Sequence, residues 1–106
     1  MLFLVVSSPR PERPSSVAHH REAFWRWIAP KLKSGEALFA YPKVGRGVAT
    51  AFEVRSHEEL HALLNEWADM IPAEFQVVPL IDPKKARAFL SRQKRKIGSP
   101  PSRGRR

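Results

Sequence analysis

The chain has 106 residues, 42% of them apolar, with no cysteine and a formal net charge of +9. That length fits one domain with a small core, and the missing cysteines exclude disulfides and thiolate chemistry. The charge belongs to one end: residues 1–83 hold nine Lys and Arg against all ten acids, while residues 84–106 hold ten Lys and Arg and no acid.

Leu2 to Ser7 reads as a strand. Its alternating sets, Leu2, Leu4, Val6 and Phe3, Val5, are both apolar, which predicts cover on both faces. The run is too short for a signal-peptide core and has no basic residue before it. No run is long enough to span a bilayer, so a cytoplasmic protein without membrane contact is expected. Ser8 to Pro14 carries three prolines and reads as a loop. Ser15 and Ser16 are candidate N-caps of a helix that ends near Ser34, with Gly35 as its stop. Val17, Phe24, Ile28 and Leu32 form its apolar stripe. Trp25 and Trp27 flank that stripe on opposite sides. Pro30 removes one N–H from the helix and is expected to kink or thin it.

Glu36 to Tyr41 and Val48 to Val54 read as two more strands, joined by a Pro42–Gly47 connection short enough for a hairpin. Ser56 then opens a second helix, His57 to Met70. Glu59 stands three residues on, the spacing of a capping box in which each side chain takes the other's backbone N–H. Leu60, Leu63, Leu64, Trp67 and Ile71 share one face, and Pro72 ends the helix. Glu74 to Ile81 is a fourth strand. Pro79 places it at a sheet edge, because proline cannot donate to an inner ladder. Asp82 and Pro83 suit the start of a third, short helix from Lys84 to about Gln93. Three segments are therefore expected: an α+β domain over 1–83, a helical extension over 84–96 and a disordered basic tail over 97–106.

The order β-α-β-β-α-β is the ferredoxin-like arrangement, a four-stranded antiparallel sheet with two helices on one face. The other face would meet water. With an apolar first strand and a third strand of small or apolar residues plus Glu53, that face predicts a second copy packed sheet to sheet.

Several short pieces carry a family resemblance: Leu2 to Val5, Val44-Gly45-Arg46, Phe52 to Ser56, Glu59-Leu60-His61 with Leu63-Leu64, and Val78-Pro79-Leu80. Over most of residues 1–81 the chain resembles the muconolactone isomerase-like family of dimeric α+β barrels. The resemblance implies a ferredoxin-like subunit, homodimers or larger rings, and cofactor-free chemistry on small ring compounds. The function expected on that basis is proton-transfer isomerisation of a small cyclic or lactone-type compound. The alternative is a non-catalytic ligand-binding or assembly module of the same fold. The proline-rich loop and the basic extension depart from the family's pattern.

Three polar side chains are candidates to line a pocket. His20 borders the buried stripe, about 60° from Val17 on a helical projection, where an imidazole can move a proton near neutrality. Tyr41 closes the second strand. Glu53 ends an otherwise small and apolar strand. Burial there would raise its pKa and suit it to proton abstraction beside a carbonyl; at the sheet's rim it would instead pair with Arg46 or Arg55. A filled pocket would use Phe39, Phe52 and Trp67.

His57-Glu58-Glu59-Leu60-His61 fits the H-E-x-x-H zinc pattern. The capping role of Glu59 and the lack of a third ligand at a recognised spacing argue against it, so no metal is expected. Arg46 to Phe52 begins like an RNA-recognition motif, but the stacking positions are Val48, Thr50 and Glu53. Nucleic acid is therefore expected only weakly, through the basic runs Arg92–Lys96 and Arg103–Arg106.

Overall fold

The computed structural model describes residues 1–97. The expected disordered segment, 97–106, lies outside the described residues apart from Ile97. Four strands, β1 (Leu2–Pro9), β2 (Ala37–Pro42), β3 (Val48–Glu53) and β4 (Ala73–Leu80), form one antiparallel sheet in the order β2-β3-β1-β4. Helices α1 (Ala18–Ser34) and α2 (His57–Met70) connect β1 to β2 and β3 to β4. The chain is thus α+β and ferredoxin-like, as the element order predicts. β4 is an edge strand, so Pro79 needs no ladder partner on its outer side.

The alternation of β1 divides the sheet. Phe3 and Val5 point to the helices and are buried, in line with Phe52 and Thr50 of β3. Phe24 and Ile28 of α1 and Leu60, Leu63 and Trp67 of α2 close on them as one core. Each large side chain so buried contributes about 1.5–3 kcal/mol. Thr50 is one of two buried polar side chains on this face, with Ser7; its hydroxyl donates to the Phe39 carbonyl at 2.5 Å, beside a register shift in β2. The opposite face holds Leu2, Leu4 and Val6 beside Ala49, Ala51, Phe39 and Val78. No helix covers it.

Four local expectations are revised. Ser15 and Ser16 do not cap α1. A 3₁₀ turn, Pro14–Val17, precedes it, and the Ser16 hydroxyl donates to the Arg13 carbonyl instead. Leu32, expected on the apolar stripe, is exposed. The capping box is half made: Ser56 Oγ accepts the Glu59 N–H at 3.1 Å, but the Glu59 carboxylate turns to the Arg55 guanidinium at 3.4 Å. A charged partner outcompetes a backbone amide there. Gly35 does end α1, at φ 88°, with its N–H on the Lys31 carbonyl. A third helix, α3 (Pro83–Ile97), runs longer than expected; its Asp82 carboxylate accepts the Lys84 N–H at 2.7 Å. Phe89 and Leu90 of α3 stay exposed.

Candidate functional site

Ferredoxin-like topology brings three connections to one end of the sheet. The β1–α1 loop, the β2–β3 hairpin and the α2–β4 link all meet where β1 ends, because β1 and β2 finish there and β3 and β4 begin there. Between this end and the helices lies a cavity of about 380 Å³. Phe24, Trp25, Trp67 and Ile71 supply its apolar wall, and Ser7, Arg21, Lys43 and Arg46 its polar groups.

Backbone chemistry fixes those groups. The hairpin closes with the Lys43 N–H on the Gly47 carbonyl at 2.8 Å, and Gly45 and Gly47 take φ of 96° and 110°. A side chain at Gly47 would be strained by its φ and would overlap the Ser7 carbonyl oxygen. The hairpin is therefore pressed against β1. Buried Ser7 accepts the Val48 N–H on its hydroxyl at 2.9 Å, extending the sheet where the ladder stops. Arg46 reaches outward from the tip. Its guanidinium donates to the carbonyls of Arg10 and Glu12 at 2.9 and 3.1 Å, strapping the proline-rich loop to the hairpin. Lys43 donates to the Ser8 hydroxyl at 3.3 Å, and Arg21 donates to the Pro14 carbonyl.

A second cavity of about 210 Å³ adjoins the first and shares Pro9, Arg46 and Ile71 with it. Its wall includes Glu12, His20 and Asp69. Arg46 thus stands between an acid-free chamber and one that holds two carboxylates and an imidazole.

The three side chains singled out from sequence do not converge. His20 lines the smaller cavity, beside His19 with ring centroids 3.9 Å apart. Tyr41 lies on the open sheet face, stacked on Phe39 at 5.5 Å, and is exposed. Glu53 sits at the far end of the sheet, exposed, with its carboxylate 3.0 Å from the Met1 ammonium. It lines neither cavity, and its rim partner is Met1 rather than Arg46 or Arg55. Phe52 and Trp67 are core side chains, with Trp67 also walling the larger cavity. Ser7, Arg21 and Lys43 went unnoticed in the sequence. The available signal was topological: the end of β1, the start of α1 and the hairpin tip are neighbours in this fold, and each carries a donor.

His57 and His61 are exposed on α2. His61 meets Asn65 at 3.2 Å, and the His57 ring lies 5.8 Å from Phe3. No group of three or more His, Cys, Asp or Glu able to hold a metal occurs among the described residues. No helix among them is long and apolar enough to cross a membrane.

Comparison with known proteins adds three findings. A family model described as "Domain of unknown function (DUF3303)" matches residues 1–94. No curated protein matches. Among solved structures, the chain is similar to 5-chloro-2-hydroxyhydroquinone dehydrochlorinase (TftG) from Burkholderia phenoliruptrix AC1100, in a complex with 2,5-dihydroxybenzoquinone. The identity is 21% and the TM-score 0.64, over 80% of this chain and 98% of that one. At that identity the likeness concerns the fold.

Proposed function

This chain belongs to the DUF3303 family, and we propose that it takes a small ring compound into the cavity between sheet and helices and transforms it by cofactor-free proton transfer. The observation that carries this reading is the cavity itself, about 380 Å³ with Phe24, Trp25 and Trp67 in its wall. That volume suits one small ring, and aromatic side chains are the surfaces such rings pack on. A similar fold holding a dihydroxybenzoquinone supports the choice of ligand. His20 is the base candidate, since its imidazole lines the adjoining cavity. The working unit in this reading is a cytoplasmic homodimer, with a second copy over the face of Leu2, Leu4 and Val6.

One observation favours a second reading, a ligand-binding module without chemistry. The larger cavity has no Asp, Glu or His in its wall, so any base must act from across Arg46. Incubation with cyclic ketones and lactones in D2O, followed by NMR, separates the two. Turnover predicts deuterium beside the carbonyl, lost in His20→Gln. Binding without exchange selects the module, and no binding at all defeats both. Sedimentation of Leu4→Glu tests the dimer: a monomer is expected, and an unchanged mass would remove the sheet-to-sheet contact.

A further inference from the structure

We infer that the larger cavity selects ring compounds carrying an ionised oxygen, with Arg21, Lys43 and Arg46 as the groups that recognise the charge. The inference rests on the ring-binding reading above and adds the chemical class of the ligand: a small cyclic carboxylate, phenolate or enolate.

Two observations carry it. First, three cations from three different places in the chain wall one cavity, and no acid shares that wall. The body they belong to, residues 1–83, is itself slightly acidic. Among the described residues none of the three has a carboxylate partner: the ion pairs are Met1–Glu53, Arg10–Glu12, Lys31–Glu36 and Arg55–Glu59. Arg21, Lys43 and Arg46 are held by carbonyls and a hydroxyl. Those dipoles orient the side chains and leave their charge uncompensated. An oxyanion entering the cavity would receive charge-assisted hydrogen bonds, about twice as strong as neutral ones.

Second, Ser7 is 3% exposed and lines the same cavity. Its oxygen is occupied by the Val48 N–H, whereas its own O–H has no acceptor among the described residues. A buried hydroxyl with a spare proton is a donor in search of an acceptor. Two acids, Glu12 and Asp69, line the other cavity, beyond Arg46. The smaller cavity also has a cation, Arg10, but it is paired with Glu12, so the uncompensated positive charge gathers in the larger one.

Benzoate, benzamide and benzylammonium have the same ring and differ in charge, so titration calorimetry with the intact chain at neutral pH and low salt tests the inference. We expect benzoate to bind about tenfold or more tighter than benzamide, benzylammonium to bind weakest, and the benzoate preference to shrink as salt is added. Lys43→Met and Arg21→Gln should each weaken benzoate severalfold and leave benzamide unchanged. Benzamide binding as tightly as benzoate, or variants that weaken both alike, would overturn the charge assignment while sparing the ring site. Failure of all three compounds to bind would overturn both.

Discussion

The two ends of the sheet are built from the same four strands and differ in how several of their cations are held. At the end where β1 begins, three cations are paired with carboxylates. The Met1 ammonium meets Glu53, Lys31 of α1 meets Glu36, and Arg55 meets Glu59 at the start of α2. Backbone groups are matched too, with the Val54 N–H on the Met1 carbonyl and the Glu53 N–H on the Glu36 carbonyl, both at 2.8 Å. At the end where β1 finishes, Arg21, Lys43 and Arg46 surround a chamber and have only carbonyls and hydroxyls as partners. Cations without a carboxylate around an aromatic-walled space suit the ligand site proposed above.

Substitutions can break or sharpen this contrast. The largest effect is expected from Trp67→Ala. Trp67 is 1% exposed, packs on Phe24 at 4.8 Å and Phe75 at 5.0 Å, and joins the core to the cavity wall. Its loss should cost about 3–5 kcal/mol of stability, read as a lower urea midpoint. Next, the two cap and turn glycines should respond unequally. Gly35 has open space around it, so Gly35→Ala costs only its left-handed backbone, about 1–2 kcal/mol. Gly47→Ala carries that cost and must also push the hairpin off Ser7, with the Lys43 side chain 2.6 Å from the new methyl. Thermal denaturation should rank it clearly below Gly35→Ala; equal melting temperatures would mean that the hairpin is not pressed against β1.

Ser7→Ala should cost about 1–3 kcal/mol, since the Val48 N–H loses its acceptor. Chemical denaturation measures it. The smallest effect belongs to Glu53→Gln. This exposed pair should contribute about 1 kcal/mol or less, and ligand binding at the other end should not change. A Glu53→Gln variant that lost binding would restore the carboxylate to the site and dissolve the contrast between the ends.

Much of the fold was legible in the residues. The span of α2 follows from Ser56 before it and Pro72 after it, and the edge position of β4 follows from Pro79. The Ser15–Ser16 cap was misread because Pro14 can open a 3₁₀ turn as readily as a loop can end at a serine. The site was harder to read for a physical reason. A carboxylate at a strand end, such as Glu53, looks the same in sequence at either end of a sheet. Its partner, the Met1 ammonium, lies 52 residues away. Lys43 and Arg46 look like ordinary turn residues until the hairpin is set against Ser7 and the start of α1. Patterns of burial are local and periodic. Convergence of donors on a cavity depends on the topology that brings distant segments together.

The indole N–H signals offer the most direct measurement, because the three tryptophans divide between the regions at issue. Trp25 and Trp67 wall the larger cavity, whereas Trp27 is held outside it, its N–H on the Glu66 carboxylate at 2.9 Å and the Lys31 ammonium over its ring. In a benzoate titration followed by nitrogen–proton correlation NMR, we expect the Trp25 and Trp67 indole signals to move together to saturation and Trp27 to move least. Signals that stay fixed at saturating benzoate, or a shift led by Trp27, would contradict a ligand site at the hairpin end of the sheet.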